Sequence, residues 1–519
     1  MGSGVTLLVK GLEPTAVIRA LTELGFAFGP STLVTTSVLD TFDGRLHRAG
    51  LRLELRDSTR LELVLSGEGT VPAHLTVNSA PRMPDELSPG PFRSRLAALT
   101  GLRALAPQLQ VSAQRTTAVW RDATGKIVGS ADLNEQLRVV DHPGVDCPAT
   151  TIEINEIAGY AKQARRAVAA LEDIGLARCE TDTLSLCAAA AGIDVAGFTS
   201  SATVPLDRQM PAVDGYRAVL ANLAITIRAN WQGTIDQPDT EFLHDLRIAV
   251  RRTRTVLGEA KGVLPDVVRD EARSGFGRLA DLTGPARDLD AFLLEWNRYT
   301  DAPGAGLAPA LAPVRDLLER RRAAAHVELE RGLRSPLAAQ LMSDWAAWLA
   351  RPLAEVQPLD DDQWVDRASR PLGRLVRKRI ARAHGILIDG GRLIGPDTPA
   401  EQVHDLRKDA KKLRYLLECF GSLLPDKPRT QFVKRLKALQ DNLGEHQDAE
   451  VHVAMMRGIA DELYAADASP ATIVAIGQLT ERLEHQRIAA RAEFAERFAD
   501  YDTPSTQRAL DTVLEAITG

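Results

Sequence analysis

The chain contains little cysteine and no long apolar run. Its only cysteines are Cys147, Cys179, Cys187 and Cys419, which form no Cys-x-x-Cys pair. This spacing favours a reducing compartment and argues against a zinc site. No apolar stretch reaches the roughly 18–20 residues that a membrane-spanning helix needs. The first residues lack the basic-then-apolar layout of a signal peptide, so we expect a cytoplasmic protein without a membrane partner.

Aromatic residues and excess positive charge are also scarce. Phe, Trp and Tyr make up 5% of the chain, which argues against recognition of nucleic acid by base stacking. The formal net charge is −6, so bulk charge indicates no polyanion partner. A basic site must therefore arise from local clustering, which the net charge does not reveal.

The first 200 residues have the pattern of a mixed domain. An apolar, β-branched run predicts a strand at 5–9, and period-two alternation predicts strands at 51–56, 61–65 and 151–155; helical spacing predicts helices at 15–24 and 161–174. Such strands, with one polar face, favour an antiparallel sheet, barrel or tunnel. The fold class expected for the whole chain is α+β with two domains, of which the second is all-α.

Helical spacing replaces strand alternation after about residue 210. Alanine, leucine and arginine dominate there, and prolines lie between the periodic stretches, where helices end; these are Pro265, Pro303, Pro358, Pro396, Pro399 and Pro425. The expected domains are residues 1–200, a linker at 201–211 and a helical domain at 212–515.

The helical region repeats itself at one constant offset. His244-Asp-Leu-Arg247 recurs as His404-Asp-Leu-Arg407, 160 residues later (404 − 244). The same offset relates Arg217, Arg251, Arg252, Arg254, Leu257, Asp281, Gly284 and Asp288 to Arg377, Lys411, Lys412, Arg414, Leu417, Asp441, Gly444 and Asp448. We interpret the region as two copies of one helical bundle, at about 212–340 and about 365–515.

A row of basic side chains follows one side of each repeated helix. At about 100° per residue, the first row spans roughly 80° and flanks the apolar stripe. The rows are His244, Arg247, Arg251 and Arg254, and His404, Arg407, Lys411 and Arg414. The stripes beside them are Leu243, Leu246, Val250 and Leu257, and Val403, Leu406, Ala410 and Leu417. Like charges at this spacing repel, and few acids share the rows, so the pattern predicts a groove that holds an anion.

Three other interpretations of these residues are less favoured. A solvated charged face with incidental histidines is the plain alternative, and the duplication argues against it. The His-Asp pairs are similar to metal ligands of phosphohydrolases, but adjacent helical residues point about 100° apart and the arginines would repel a metal. Glycines 284 and 444 are expected to end or bend a helix, and a catalytic aspartate beside them is the less favoured possibility.

These motifs resemble the CHAD family, the conserved-histidine α-helical domain. The matching segments are 244–254, 284–290, 404–415 and 439–444. The resemblance implies two pseudo-symmetric four-helix bundles and a basic channel that binds inorganic polyphosphate. The binding residues that it implies are His244, Arg247, Arg251, Arg252, Arg254, His404, Arg407, Lys408, Lys411, Lys412, Arg414 and Tyr415, with Arg217 and Arg377 on the preceding helices.

The first domain resembles the CYTH family, a β-tunnel that hydrolyses triphosphates with a divalent metal. The segments 39–51 and 152–155 carry the likeness. The departures are Thr6 and Leu8 in place of the opening glutamates, Glu54 where a tunnel arginine is expected, Asn155 in place of an acid, and Leu186 in place of a lysine. Since metal-assisted hydrolysis needs acids for the metal and cations for the phosphates, we expect a degenerate domain.

Two functions follow as expectations. The first is polyphosphate binding by the helical domain, with no cofactor or resident metal, nucleic acid only as a competing polyanion, and polyphosphate granules as a place of association. The alternative is an inorganic triphosphatase that uses Mg²⁺ or Mn²⁺. Its basis is the set of residues retained in the first domain: Lys10, Asp40, Arg56, Arg115, Asp132 and Glu153.

Overall fold

A computed structural model describes residues 4–58, 60–67, 72–142, 144–145, 147, 150–199, 203–300, 307–352, 355, 362–395 and 397–517. The chain divides into two compact units, Met1–Ser200 and Ser201–Gly519. Each unit has its own apolar core.

The first unit is built on one antiparallel sheet, as its alternating sequence predicts. Its strands are β1 (Val5–Leu8), β2 (Phe26–Thr41), β3 (Leu51–Asp57), β4 (Leu61–Gly67), β5 (Ala73–Thr76), β6 (Leu105–Arg121), β7 (Ile127–Val139), β8 (Thr150–Asn155) and β9 (Ala177–Arg178). Their order in the sheet is β5-β4-β3-β2-β6-β7-β8-β1-β9. The strands expected at 5–9, 51–56, 61–65 and 151–155 are confirmed as β1, β3, β4 and β8.

Five helices pack on this sheet. They are α1 (Pro14–Leu24), α2 (Arg45–Arg48), α3 (Pro91–Thr100), α4 (Ala161–Asp173) and α5 (Thr183–Ala190). The two helices predicted from spacing are confirmed as α1 and α4, and both bury their apolar faces against β1, β7 and β8. The alternation of these strands therefore leaves Asp132 and Glu153 on the opposite face of the sheet from α1 and α4.

The sequence did not reveal the long central strands β2, β6 and β7. Their registers shift between Phe28 and Ser31 and between Val38 and Leu39 in β2, and again where β6 pairs with β7. Each shift moves the following side chains relative to the two faces. A simple period of two is therefore lost along these strands.

The second unit is helical throughout its described part. Its helices are α6 (Ala212–Asp236), α7 (Glu241–Glu259), α8 (Asp266–Leu282), α9 (Gly284–Leu294), α10 (Trp296–Thr300), α11 (Ala312–Leu333), α12 (Pro336–Ala350), α13 (Asp362–Ala368), α14 (Leu372–Arg392), α15 (Ala400–Cys419), α16 (Asp426–Ala465), α17 (Pro470–Tyr501) and α18 (Pro504–Glu515). Pro265, Pro399 and Pro425 precede α8, α15 and α16, as expected. Pro303, Pro358 and Pro396 lie outside the described residues.

Equivalent helices begin and end at the offset seen in the sequence. Helices α6 and α14 start at 212 and 372, α7 and α15 end at 259 and 419, and α8 and α16 start at 266 and 426. Pro211 and Pro371 form an antiparallel bridge, flanked by hydrogen bonds from Ala212 N to Arg370 O and from Leu372 N to Met210 O, each 2.9 Å. Each of these hydrogen bonds joins the residues that are equivalent, at the offset of 160, to those of the other. The contact therefore has local twofold symmetry.

The two halves differ at the glycine that follows the basic helix. In the first half, α8 ends at Leu282 and α9 begins at Gly284, as expected. In the second half, Gly444 lies inside the continuous helix α16, so the expected break at Gly444 is wrong. A helical glycine costs stability but does not end a helix when tertiary packing supports both sides.

Among the described residues, no helix is both long and apolar enough to cross a membrane.

Candidate anion-binding site

The two basic helices lie against each other in the second unit. Their apolar stripes, Leu243, Leu246, Val250 and Leu257 of α7 and Val403, Leu406, Ala410 and Leu417 of α15, are buried in one shared core. Burying these side chains removes apolar surface from water, at roughly 25 cal/mol per Å². The core therefore fixes the orientation of both helices, and with it the direction of the basic row beside each stripe.

The basic rows converge at Lys411. Burial, together with Arg407 and Arg251, lowers the pKa of Lys411 to about 7; Arg414 adds to the effect and Asp448 opposes it. Arg251 lies on α7 and the other two arginines on α15, so cations from both halves surround one ammonium group. Arg251 and Lys411 are equivalent residues, 160 positions apart. Because they interact with each other, the two basic rows meet where the local twofold symmetry relates one half to the other.

Arg247 extends the cluster on the side of the first half. Burial, Arg251 and Arg287 lower its pKa, while Asp288 acts in the opposite sense. Its Nη1 donates to the carbonyl of Ala280 at 3.2 Å, and its Nη2 lies 3.6 Å from Asp288. The guanidinium group is thereby held in one place.

The same ion pair occurs in both halves. Arg247 faces Asp288 at 3.6 Å, and the equivalent Arg407 faces Asp448 at 3.1 Å. Both aspartates are exposed, with side chains 58% and 61% accessible, so water screens each pair. Two exposed acids therefore border the cluster without neutralising its interior.

Several cations of the cluster have no acidic partner. Across the described ranges, no carboxylate lies within 4.0 Å of the charged nitrogens of Lys411, Arg251 or Arg254. Within the same ranges, Arg287 Nη1 and Arg407 Nε are buried donors that no acceptor reaches. Burying cationic donors without partners is unfavourable, so the arrangement is suited to an anion that supplies oxygen acceptors.

The histidines of the repeated motif lie half-buried at equivalent positions on α7 and α15. His404 Nδ1 is 2.6 Å from Gln447 Oε1, and with the amide oxygen as acceptor the Nδ1 atom carries the hydrogen. Gln447 occupies the position equivalent to Arg287. The first half thus presents a cation where the second presents an amide that orients a histidine.

Other candidates from the sequence make contacts outside the cluster. Arg217 donates to the carbonyl oxygens of Leu349, at 2.9 Å, and Arg351, and its guanidinium lies 5.5 Å from the centre of the Trp348 ring. It therefore ties down the end of α12. Arg377 is exposed on α14.

Three candidates on the basic helices are held by side chains of their own unit. Lys408 is exposed and pairs with Asp405 at 2.9 Å. Arg252 pairs with Glu418 at 2.6 Å, and Lys412 pairs with Glu259.

Tyr415 is buried, with the guanidinium carbons of Arg252 and Arg414 at 5.9 and 5.6 Å from its ring centre. Arg414 also donates to Gln440 Oε1 at 3.2 Å. Tyr415 therefore packs behind the basic row and supports it.

Sequence reasoning missed four residues of the cluster as site residues: Arg287, Asp288, Gln447 and Asp448. All four lie in the segments that follow Gly284 and Gly444, which the sequence assigned to helix ends and caps. The constant offset of 160 was the signal that could have found them, because 287 and 447 are equivalent, as are 288 and 448.

A second charged cluster occupies one face of the sheet in the first unit. Arg56 donates to Glu54 at 2.6 and 2.9 Å. Burial acts to lower the pKa of Arg56, but Glu54, with Asp132 and Glu153, raises it overall. Strands β2, β6 and β7 separate β3 from β8 in the sheet. An interaction between Arg56 and Glu153 therefore requires the sheet to curve strongly.

The acids of this cluster are already engaged. Asp132 accepts from Thr117 at 2.6 Å and from Asn155 at 3.0 Å. Burial raises the pKa of Glu153, which favours the neutral form. In the described part of the chain, no group of three or more His, Cys, Asp and Glu side chains is placed to hold a metal ion. The residues present therefore do not fit the metal that a CYTH-type reaction requires.

Two residues proposed for the tunnel lie elsewhere. Asp40 accepts from the backbone N–H groups of Thr41, Leu46 and His47 at 2.7, 2.9 and 2.8 Å, so it caps the short helix α2. Lys10 is exposed just after β1. Arg115 donates to Asn134 at 2.8 Å and is close enough to Glu153 to act on its pKa, so it does join the cluster.

The structure therefore has an antiparallel sheet unit and a helical unit in which two equivalent helices bring their basic rows together in one cluster. Comparison with known families identifies the helical part. The CHAD domain matches residues 218–457, so this chain contains a CHAD domain.

Curated relatives and solved structures are similar to parts of this chain. An uncharacterised protein of Mycobacterium tuberculosis H37Rv, Rv2226, is 27% identical over 261 residues, which cover 50% of this chain and 47% of that protein. The matching protein of strain CDC 1551, MT2285, is 26% identical over the same length. The chain thus spans about half the length of the curated relatives it matches.

Three solved structures illustrate the two units. The CHAD domain from the plant Ricinus communis is 24% identical, with a TM-score of 0.45, and covers 60% of this chain and 95% of that one. PptA from Streptomyces chartreusis is 20% identical, with a TM-score of 0.42, and covers 56% and 99%. HpAC1 from Hippeastrum, for which a dominant triphosphatase activity is described, is 13% identical, with a TM-score of 0.28, and covers 38% and 100%.

Proposed function

We propose that the helical unit binds a polyanion, inorganic polyphosphate in the first instance, and that the basic cluster of α7 and α15 forms the cleft that holds it. The observation that carries the proposal is Lys411, a half-buried lysine surrounded by Arg251, Arg407 and Arg414 and without a paired acid in the described ranges. Folding such a cluster is unfavourable unless an anion compensates it.

The chemistry of the cluster favours holding an anion over cleaving one. Arginine and lysine side chains donate hydrogen bonds and accept none, and an arginine can grip two phosphate oxygens at once. The described residues of the cluster provide no nucleophile activated by a neighbouring base. A chain of phosphates suits cations contributed by two helices, because each phosphate adds a contact and releases counterions.

The constant offset, the shared helix ends and the paired contacts of Arg247 and Arg407 support an origin of the helical unit by internal duplication. On this proposal the cleft lies on the local twofold relation, and a phosphate chain, which has no direction, can contact both halves in the same way. The cytoplasm, with polyphosphate granules, is the proposed place of action.

Binding of end-labelled long-chain polyphosphate, measured by fluorescence anisotropy at low and high salt, tests the proposal. We expect tight binding that weakens as salt rises, because phosphate contacts release counterions. Lys411→Met should weaken binding by about 10- to 100-fold, the worth of one or two charge-assisted hydrogen bonds. Lys162→Met, at an exposed lysine of the first unit, is the matched control. Absence of binding at both salt concentrations would refute the proposal.

A second candidate function belongs to the first unit. Arg56, Arg115, Asp132 and Glu153 do converge on one face of the sheet, which favours a phosphate ligand there and leaves a triphosphatase reaction open to test. The internal contacts of Glu54 and Asp132, and the burial of Glu153, weigh against this activity. Phosphate release from triphosphate in the presence of Mg²⁺ or Mn²⁺ tests whether the first unit is a triphosphatase, and we expect no release.

A further inference from the structure

Arg252 and Lys412 are equivalent residues that reach across to the opposite basic helix. Arg252 of α7 pairs with Glu418 near the end of α15 at 2.6 Å, and Lys412 of α15 pairs with Glu259 at the end of α7. The two acids are not equivalent, since Gly258 corresponds to Glu418 and Cys419 to Glu259. Two different acids therefore form the same reciprocal connection between the halves.

Each acid contacts two cations. Glu259 is 8% exposed and lies 3.5 Å from Arg379 in addition to its contact with Lys412. Glu418 is 27% exposed and lies 3.3 Å from Arg414 in addition to Arg252. A carboxylate at this depth needs cationic partners, and removing one partner leaves the other charge uncompensated. Each acid therefore has one cationic partner on the opposite basic helix, and its second partner, Arg379 of α14 or Arg414 of α15, helps to hold it in place.

Neighbouring basic residues on each helix have different surroundings. Arg251 and Lys411 take part in the cleft without an acidic partner, whereas Arg252 and Lys412, one residue later, are paired across the helix interface. A step of one residue turns about 100° around a helix, which separates the two directions. The acids neutralise the second cation of each pair and leave the first available to a ligand.

We infer that Glu259 and Glu418 are positioning residues of the cleft, which hold Arg252 and Lys412 as ties between α7 and α15 and so set the spacing of the two basic rows. The inference rests on the proposed polyanion binding, and it withdraws Arg252 and Lys412 from the residues that contact the ligand. A ligand that spans both rows requires them at a fixed separation, and a loss of the ties would let the rows move apart under their own repulsion.

The variant Glu418→Arg separates a positioning role from simple electrostatics. It adds two positive charges beside the cleft, which alone would tighten polyphosphate binding. If Glu418 ties the helices, it instead places Arg252 against a second arginine, and we expect binding to weaken by about tenfold, a typical coupling for a close charge pair. The exchange Arg252→Glu with Glu418→Arg restores an opposite-charge pair with unchanged net charge, and we expect near wild-type affinity.

The outcomes are distinct. The inference would be overturned if Glu418→Arg bound polyphosphate more tightly, or if Arg252→Glu and the double exchange weakened polyphosphate binding equally. Either result would indicate that Arg252 contacts the ligand directly. Wild-type protein that binds no polyphosphate at low salt would refute the proposed function instead. In either that case or the failure of a reversal variant to fold, the Arg252–Glu418 ion pair can still be tested by urea unfolding of Arg252→Gln, Glu418→Gln and the double variant. Additive effects of the two changes on the free energy of unfolding would contradict a tie between these residues.

Discussion

Lys411 makes the proposed binding depend on pH in a defined window. Its pKa lies near 7 in the free protein, against an ordinary value of 10.5, because it is buried beside Arg407 and Arg251. A phosphate beside the ammonium favours its charged form, so binding raises the pKa back toward its ordinary value. Binding then takes up a proton above pH 7. Affinity is fully present below that pH and falls as pH rises through the window up to the pKa of the complex.

The expected magnitude follows from the fraction of protonated lysine. At pH 7 about half of the free protein carries the proton, and at pH 9 about one molecule in a hundred does, so affinity should fall by roughly 50-fold between them. Titrations with labelled polyphosphate at constant ionic strength would measure this. The matched variant Lys411→Arg keeps the charge over the whole range, because the arginine pKa exceeds 12. We expect Lys411→Arg to lose most of the pH dependence of polyphosphate affinity above pH 7.5.

Calorimetry in buffers with different ionisation heats would count the protons taken up at pH 8, and we expect close to one for wild type and close to zero for Lys411→Arg. The same slope above pH 7.5 in both proteins would refute the assignment of Lys411. The folding stability of the ligand-free protein should depend on pH in the opposite direction. The free energy of unfolding should rise between about pH 7 and 10.5, because in this range Lys411 is protonated mainly in the unfolded chain.

Three further predictions concern other parts of the structure. Asp448→Asn removes an exposed carboxylate from the edge of the cleft and should raise polyphosphate affinity about two- to fivefold at low salt, less at high salt; weaker binding in the same titration would contradict this. Leu406→Ala should lower the free energy of unfolding by about 2–5 kcal/mol in urea because it leaves a cavity in the shared core, whereas Leu393→Ala, at an exposed site, should change it by less than about 0.5 kcal/mol. Asp40→Ala leaves the backbone N–H groups of Leu46 and His47 in α2, and that of Thr41 at the end of β2, without their acceptor; it should destabilise the first unit by about 2–4 kcal/mol in thermal unfolding, and an unchanged transition would refute the capping role.

Two residues of the first unit that depart from the CYTH pattern, Glu54 and Asn155, make contacts with other residues of the same unit. Glu54, which stands where the family resemblance implies a tunnel arginine, pairs with Arg56 and consumes a cation that could otherwise meet a phosphate. Asn155, in place of an acid, donates to Asp132 and occupies one of its oxygens. Both changes replace a potential ligand contact with an internal one, which is consistent with the expected loss of triphosphatase activity.

The sequence by itself determined the class of each unit and several of its elements. Alternation identified β3, β4 and β8, a run of apolar and β-branched residues identified β1, and apolar spacing identified α1 and α4, because periods of 2 and 3.6 indicate directly which face is buried. The offset of 160 was visible from His244 and His404 without any coordinates. The flanking position of the basic rows also followed from local geometry, since the helix alone fixes the angle between a charged row and its apolar stripe.

Only the tertiary structure decided which cations are paired and which are not. Arg251 and Arg252 are adjacent and chemically identical, yet one meets Lys411 in the cleft and the other meets Glu418 across the interface. No local pattern distinguishes them, because the partner of each lies more than 150 residues away and its distance depends on how two helices pack. Likewise, Asp40 caps a turn and Gly444 continues a helix because packing around them outweighs local preference.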